Sequence, residues 1–407
     1  MKSRLSSAET KLVSGSPYWS AHHQTHRPNA PLRGEAPCDV AVIGGGITGA
    51  LVCHQLAKSG IDTVLLEKHR LGSGSTSAST ALISYEFDEL LTTLGDAIGK
   101  SRATKAYQLC HEAVSYLADL VKEIEDPCDY DKKVSVRVSN DPSHAKVFES
   151  EARARNKEGL TVDILTEAEL TDKYGVSARL GLVSNNAAQI DPLKLTHRLI
   201  ARSKSAGLRV YEHTKVTSFE ETKGHVRLQT SDGASIQAKR VVFATGYESE
   251  KYLGFSVGEL NTDYCMISHP LRNMEKIKKC HLVEHAENYL YASTFGDRVM
   301  VGIEGRSFQF PGERTRRLSR KTKEIVERIE KYLPGHQFNK DYHWGATFAN
   351  SKDSLPYLGQ SKLFPRAWFV LGYGGNGIAS STMLSFLVRD IVLGKSNPDT
   401  GLFAFDR

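Results

Sequence analysis

The stretch Asp39-Val-Ala-Val-Ile-Gly-Gly-Gly-Ile-Thr-Gly49 decides the fold prediction. Its first five residues form a short apolar run rich in β-branched side chains, which is typical of a buried parallel strand. The glycine turn after it opens a helix that Gly60 ends, and Thr63-Val-Leu-Leu-Glu67 predicts the next strand. This order is the beginning of a βαβ unit. We therefore expect an α/β protein that contains a Rossmann-type domain.

Each part of this turn has a physical reason in dinucleotide binding. Gly44 allows the tight turn, Gly46 lets the main chain approach a pyrophosphate, and Gly49 lets helix and strand pack closely. The helix start offers free N–H groups and a positive dipole end to phosphate. Glu67 at the end of the second strand can accept hydrogen bonds from a ribose. The pattern predicts a dinucleotide site but does not separate FAD from NAD.

Three later segments favour a flavin nucleotide. The loop of small residues from Gly72 to Leu82 lets the main chain lie against a large flat ligand, and the strand Arg240–Gly246 ends in a turn that can pass beneath a nucleotide. Gly372-Tyr-Gly-Gly-Asn-Gly377 repeats the glycine pattern, but the strand and acid of a second NAD site are missing after it. Peptide N–H groups of Gly377 and Ile378 instead suit the negative charge that develops on the N1–C2=O edge of reduced flavin.

Composition restricts the remaining classes. The 407 residues are 40% hydrophobic and 25% charged with a formal net charge of +6, which fits two or three globular domains. The basic run Arg314–Lys331 alternates with apolar residues at helical spacing, so a solvated helix face is favoured over contact with nucleic acid or a membrane surface. The six cysteines form no CxxC pair, so neither a metal site nor a disulfide framework is predicted. The sequence has no apolar run long enough to span a membrane and a polar opening, Met1–Gly15, so we expect a cytoplasmic protein.

Taken together, these motifs resemble the D-amino-acid-oxidase-like (DAO) FAD-dependent oxidoreductases, nearest the γ-glutamylputrescine oxidoreductase and glycine oxidase branch. The resemblance runs from about Tyr18 to Val392 and also rests on Ser16-Pro-Tyr-Trp19, Trp344-Gly345 and Asp353-Ser-Leu-Pro356. It implies a Rossmann-type FAD-binding domain interleaved with an α+β substrate domain built on an antiparallel sheet. The implied ranges are 1–29 for an N-terminal arm, 30–95, 190–255 and 340–407 for the FAD domain, and 96–189 and 256–339 for the substrate domain.

The resemblance also implies which positions contact FAD. They are Gly44, Gly46, Ile47, Thr48 and Gly49; Glu67 and Lys68; Ser75, Thr76, Thr80, Ala81 and Leu82; Val216; Ala244, Thr245 and Gly246; and Gly372, Tyr373, Gly374, Gly375, Asn376, Gly377 and Ile378. Sarcosine oxidases tether the flavin through a cysteine at the position of Ala346, so we expect non-covalent FAD here.

On the substrate side the sequence departs from the family. Ser293 and Phe348 stand where the family has arginines that grip a substrate carboxylate, so a free α-amino acid loses its main anchor unless another arginine, such as Arg306, replaces them. Positioning residues are predicted on strands expected to face the flavin ring. These residues are Tyr264, Tyr289, Tyr291, His269, which could act as a base, and Trp344.

Flavin amine oxidation requires mainly that the protein position the amine and exclude water, since the cofactor carries the chemistry. The predicted function is oxidation of a C–N bond of a small-molecule amine or amino-acid derivative, with hydride passing to flavin N5 and electrons to O2 or another acceptor. Two alternatives stay open at this point. One is a flavin-binding redox subunit without its own amine substrate, and the other is a 2-hydroxy-acid dehydrogenase on the same fold.

Overall fold

A computed structural model describes residues 2–4, 12–22, 27–256, 258–305, 307–361 and 364–407. The strands of this part of the chain are β1 (Lys2–Arg4), β2 (Val13–Gly15), β3 (Glu35–Ile43), β4 (Thr63–Leu66), β5 (Leu82–Ile83), β6 (Asp131–Ser139), β7 (Val162–Thr166), β8 (Leu180–Gln189), β9 (Arg209–Tyr211), β10 (Val216–Glu221), β11 (Val226–Thr230), β12 (Ser235–Phe243), β13 (Gly258–Ser268), β14 (Cys280–Glu284), β15 (Leu290–Phe295), β16 (Arg298–Ile303), β17 (Lys340–Ser351), β18 (Tyr357–Ser361) and β19 (Phe364–Leu371).

The helices connect and cover these strands. They are α1 (Tyr18–His22), α2 (Ile47–Lys58), α3 (Ser75–Ala78), α4 (Leu91–Ile98), α5 (Lys100–Glu123), α6 (His144–Lys157), α7 (Glu167–Tyr174), α8 (Pro192–Ser205), α9 (Glu250–Leu253), α10 (Pro311–Tyr332) and α11 (Gly377–Val392). Short 3₁₀ helices occupy Gly246–Ser249, Ile277–Lys279 and Pro398–Phe403.

The first sheet has the order β1-β10-β11-β12-β3-β4-β9, with β19 on β12 and β18 on β19. Its centre is parallel, because β3 pairs in parallel with both β12 and β4, and β19 pairs in parallel with β12. The residues of β4 are all buried, as expected for a parallel strand covered on both faces. The carboxyl ends of these strands meet at one edge, where ligands bind in open α/β sheets.

The second sheet is largely antiparallel and has the order β2-β17-β13-β16-β15-β14-β6-β8-β5, with β7 on β8. One pair in it, β14 with β6, is parallel. Helix α10 packs on one face through an apolar stripe that includes Leu318, Ile325 and Ile329. The opposite face of this sheet is therefore the one available to a ligand. The predicted α/β architecture with a second, antiparallel layer is confirmed.

Sheet membership departs from the predicted domain ranges at two strands. β17 begins the range predicted for the FAD domain, yet it pairs with β13 along its whole length, from Gly258 opposite Ser351 to Ser268 opposite Lys340. The short β5 likewise pairs with β8 of the second sheet. The domain division stays a prediction, with these two strands lying on the substrate-domain side. Within the described residues, no helix combines the length and apolar character needed to cross a membrane.

Candidate active site

The first glycine turn has the close approaches that its sequence predicts. Gly44 has φ +107°, and a Cβ there would lie 2.5 Å from the carbonyl oxygen of Ala244. A Cβ on Gly49 would overlap the carbonyl oxygen of Gly44. Helix α2 starts directly at Ile47 after Gly46, so its first N–H groups point out of the turn. The main chain therefore forms a cradle that suits a pyrophosphate.

The loop of small residues is fixed against this turn. Thr76 Oγ1 accepts a hydrogen bond from the Ile47 N–H at 3.0 Å. Two tryptophans support the loop, because Trp19 Nε1 donates to the Ser79 carbonyl at 2.7 Å and Trp344 Nε1 donates to the Ala78 carbonyl at 2.8 Å. Both indoles are fully buried. The N-terminal arm and β17 thus hold the loop in place.

The second glycine turn converges on the first. Thr48 Oγ1 and Ser381 Oγ lie 2.7 Å apart, which joins the first turns of α2 and α11. Asn376 precedes α11 but its side chain does not cap that helix. Its Nδ2 donates instead to the carbonyls of Ser84 and Glu86. The N–H groups at the start of α11 are therefore left for another acceptor.

A cavity of about 880 Å³ joins these segments, which is at the upper end of the usual size of ligand pockets. Its wall contains most of the predicted cofactor residues. These are Gly44, Gly46, Ile47, Thr48, Glu67, Lys68, Ser75, Thr76, Thr80, Leu82, Val216, Ala244, Thr245, Gly246, Gly372, Tyr373, Gly374, Gly375, Asn376, Gly377 and Ile378. Gly49 and Ala81 are buried behind the wall rather than in it. The three glycine-bearing segments therefore face one space.

The first sheet supplies the acidic and basic groups at one end of this cavity. Glu67 Oε2 accepts from the Gly45 N–H and Oε1 from the His69 N–H, each at 2.7 Å. Burial raises the pKa of Glu67, and these two N–H donors act against that rise. Lys68 is paired with Glu248 at 2.9 Å. The carboxylate predicted to accept ribose hydroxyls is thus fixed in orientation by main-chain donors.

The second sheet supplies the opposite wall through alternate residues of β13 and a tyrosine of β15. Asp263 and Cys265 of β13 and Tyr291 of β15 line the cavity. Between these strands lies Gly302 of β16, where a Cβ would overlap the ring of Tyr291. Because this glycine leaves the space open, Tyr291 crosses β16 and donates its hydroxyl to Asp263 Oδ2 at 2.8 Å.

A second carboxylate with a tyrosine partner borders the same wall. Asp88 accepts from the Gly375 N–H at 3.1 Å and from the Tyr289 hydroxyl at 3.4 Å. Burial raises the pKa of Asp88, and burial raises that of Asp263 to about 8, helped by the negative charges of Glu304 and Asp88. The rings of Tyr289 and Tyr291, whose hydroxyls donate to Asp88 and Asp263, lie 5.8 Å apart. This part of the wall therefore favours a bound cation.

Arg137 of β6 lines the cavity on the far side of β14. The residue is 8% exposed, and among the described residues none accepts a hydrogen bond from its Nε. The neighbouring Glu86 has fixed partners, since it accepts from Arg155 at 2.5 Å and from Ser135 and Ser184. Burial acts to raise the pKa of Glu86, but the charges of Arg155 and Arg137 and these hydrogen bonds lower it to about 2.

Three of the predicted positioning residues lie outside the cavity wall, and this part of the prediction is corrected. Tyr264 is absent from the cavity wall and belongs to the apolar cluster that also contains Leu318 of α10. Trp344 lies beneath α3 and supports the loop there. His269 follows the end of β13, its side chain is 58% exposed, and it lies 3.8 Å from Asp341. Tyr291, by contrast, faces the cavity.

The positions that depart from the family pattern have assignable surroundings. Phe348 and Ala346 line the cavity, whereas Ser293 donates to Gln189 at 2.7 Å. Arg306 lies outside the described residues. Cys265 is a cavity-lining thiol, and burial raises its pKa well above its usual value. A thiol held protonated is a poor nucleophile, which is compatible with non-covalent FAD.

Sequence reasoning missed Asp88, Arg137 and Asp263. A signal was present for two of them, because Arg137 stands between Val136 and Val138 and Asp263 directly precedes the run Tyr264–Ile267, and burial of a charge is costly. Asp88 lies six residues after the loop of small residues. No pattern around these three indicated that they line one cavity.

The observed geometry fits a flavin dinucleotide. The glycine cradle and two helix starts present N–H groups, Glu67 is placed beside them, and the small-residue loop and the second sheet enclose the rest of one continuous cavity. These features fit a nucleotide-dependent oxidoreductase whose cavity extends beyond the nucleotide site.

The chain belongs to the DAO family of FAD-dependent oxidoreductases, since the family model described as "FAD dependent oxidoreductase" matches residues 39–391. The predicted family, cofactor and enzyme class are thereby confirmed.

Individual relatives are distant but cover most of the chain. The chain is 22% identical over 401 residues to "Putative Rieske 2Fe-2S iron-sulfur protein YhfW" of Bacillus subtilis (strain 168), covering 96% of this chain and 75% of that one. It is 24% identical over 397 residues to "Gamma-glutamylputrescine oxidoreductase" of Escherichia coli (strain K12), covering 93% and 89%. The crystal structure of glycine oxidase from Geobacillus kaustophilus superposes with a TM-score of 0.72 at 20% identity, covering 89% of this chain and 96% of that one. That structural likeness concerns the fold.

Proposed function

We propose that this protein oxidises a C–N bond of an amine or amino-acid derivative. The observation that carries the proposal is a single cavity that runs from the glycine cradle to a wall bearing Asp88, Asp263, Tyr289 and Tyr291. Acids and aromatic rings are the groups that attract an alkylammonium ion. The names of the relatives, gamma-glutamylputrescine oxidoreductase and glycine oxidase, support a nitrogen-bearing substrate.

The reaction balances without a metal or a protein nucleophile. When bound, FAD would supply the two-electron oxidant that takes up a hydride, and O2 or another acceptor would receive the electrons. The substrate loses that hydride from carbon and a proton from nitrogen, and water then hydrolyses the imine to a carbonyl compound and ammonia or a smaller amine. The work left to this chain is to bind the amine, remove its proton and exclude water.

We assign Asp263 as the base that removes the proton from the amine. Its carboxylate faces the cavity, its pKa of about 8 lies near neutrality, and Tyr291 fixes its orientation through a hydroxyl donor. A base is most useful when its pKa is close to the working pH. We assign to Phe348 and to the cavity-lining residues of the two glycine turns the role of excluding water. We also propose that FAD is held without a covalent bond.

The test is anaerobic reduction of the purified holoenzyme by a panel of primary amines, secondary amines, amino acids and 2-hydroxy acids. Bleaching of the flavin absorbance by at least one amine, with ammonia or a smaller amine as product, is the expected result. Reduction by hydroxy acids alone would identify a 2-hydroxy-acid dehydrogenase, and reduction by none would favour a redox subunit. Either of these results contradicts the proposal.

A further inference from the structure

Resting on the proposed function, we propose that the chamber takes an extended zwitterion, an ω-amino acid or a derivative of one. Its ammonium group lies against Asp263 and Tyr291, and its carboxylate lies against Arg137. This assigns a carboxylate site on β6, which is a different strand from those that carry the missing arginines at Ser293 and Phe348.

The anionic end of the substrate is inferred from Arg137. Arg137 is 8% exposed, it lines the cavity, and its buried Nε has no acceptor among the described residues. A buried donor without a partner costs free energy. The charge of Arg137 already acts to lower the pKa values of Glu86 and Asp88, but a carboxylate that enters the cavity supplies the missing acceptor in a charge-assisted hydrogen bond. Glu86 does not fill this role, because Arg155, Ser135 and Ser184 already donate to its carboxylate.

The cationic end is inferred from Asp263. Each of its carboxylate oxygens accepts one hydrogen bond, from the Gly305 N–H at 2.9 Å and from Tyr291. The charges that act on it most strongly are acidic, Glu304 and Asp88. An ammonium ion placed there relieves this repulsion. Asp88 is the weaker candidate, because it is held by the Gly375 turn and the positive charge of Arg137 already acts on it.

The distance between the two ends excludes an α-amino acid as the best substrate. From β13 the order of strands is β16, β15, β14 and then β6, so Asp263 and Arg137 stand four strand spacings apart. That is roughly 19 Å between main chains. Even if both side chains lean toward each other, the gap exceeds the single carbon that separates the charges of an α-amino acid. The Tyr289 and Tyr291 rings lie between the ends, where an aliphatic spacer can pack.

The test compares substrates of matched length with the FAD-loaded protein. Glycine, β-alanine, 4-aminobutyrate, 5-aminopentanoate and 6-aminohexanoate are compared with alkylamines of the same chain length by anaerobic flavin reduction. We expect the longer ω-amino acids to exceed both glycine and the matched alkylamine by roughly 10–100-fold in kcat/KM, the value of one charge-assisted hydrogen-bonded pair. This comparison needs no variant.

Variants then locate the carboxylate site. Arg137→Gln should lower kcat/KM for the ω-amino acids by roughly 10–100-fold, mainly through KM, and leave the matched alkylamines within about two-fold. The exposed Arg179, which precedes β8 of the same sheet, provides the control Arg179→Gln, expected to change neither. As a readout besides turnover, hexanoate should perturb the visible spectrum of the oxidised holoenzyme, with a Kd raised at least about 10-fold in Arg137→Gln.

The possible failures are distinguishable. If alkylamines or glycine are oxidised as well as the longer ω-amino acids, or if Arg137→Gln affects all amines equally, the inference is overturned while the proposed function stands. If no amine reduces the flavin, the proposed function is contradicted. In that case a Kd for hexanoate that Arg137→Gln leaves unchanged also overturns the carboxylate site, whereas a Kd that this substitution raises supports it.

Discussion

The cofactor side of the cavity is built from main chain, whereas the substrate side is built from side chains. On the first side, Gly44 and Gly49 are needed because any side chain would strike a carbonyl oxygen. On the second side, Tyr291 reaches Asp263 only because Gly302 has no side chain. Glycine thus allows main-chain segments to approach closely in the first region, and in the second it leaves room for a neighbouring aromatic ring. Substitutions that add one carbon should therefore have different consequences on the two sides.

The largest effect is expected from Gly49→Ala. The added Cβ overlaps the Gly44 carbonyl, and neither the helix start nor the turn can yield without opening the cradle. Overpacking against the main chain costs about 1–3 kcal/mol or more. We expect flavin content after purification to fall by at least about 10-fold and thermal stability to drop. Gly312→Ala is the matched control, since a Cβ there meets no atom within 4 Å. Retention of full flavin content would contradict the assignment of this turn.

Gly302→Ala should separate the two sides. The new methyl group displaces the Tyr291 ring and breaks its hydrogen bond to Asp263, while the glycine cradle is untouched. We expect turnover with the best amine to fall roughly 10–100-fold, the value of one hydrogen bond to a charged group. Absorbance should show an unchanged flavin content. A loss of flavin together with activity would mean that the two sides are not separable.

Asn376→Ala tests the link between the sides. Removal of the side chain leaves the Ser84 and Glu86 carbonyls without this donor at the start of α11. An unsatisfied buried acceptor costs about 1–3 kcal/mol. We expect the Kd for FAD to rise roughly 10-fold in equilibrium titration of the apoprotein. An unchanged Kd would show that the position of α11 does not depend on this contact.

The smallest effect is a pH-dependent change of stability in Asp263→Asn. The folded-state pKa of about 8 lies above the ordinary value of 3.8, so the native protein binds the proton more tightly than the unfolded chain. The contribution of Asp263 to the stability of the wild type therefore decreases as pH rises from about 4 to about 8, and the asparagine variant lacks this contribution. The Tm of the variant relative to wild type should rise by a few degrees, roughly 2–6 °C, between pH 5 and pH 9. A constant difference across this range would contradict the raised pKa.

The contrast between the sides also explains what the sequence predicts well. The cradle depends on local requirements of the main chain, so Gly44, Gly46 and Gly49 indicate it wherever the rest of the chain goes. In contrast, β13 is buried on both faces, by α10 and by the cavity wall. Apolar alternation is therefore lost, and the choice of Tyr264 rather than Asp263 as the inward residue was wrong by one position. Arg137 lines the cavity because of the order of the strands in the second sheet, and local sequence patterns do not reveal that order.

Two long-range contacts that hold the small-residue loop and the segment after it have a consequence for biogenesis. The Ala78 carbonyl meets a donor 266 residues further along the chain, and the Ser84 carbonyl meets Asn376 across 292 residues. During synthesis the glycine cradle and the small-residue loop emerge first together with Trp19, but the Trp344 contact cannot form until the chain has been made as far as β17. We therefore expect stable loading of FAD to require synthesis beyond Trp344, and nascent chains halted before this residue should remain colourless.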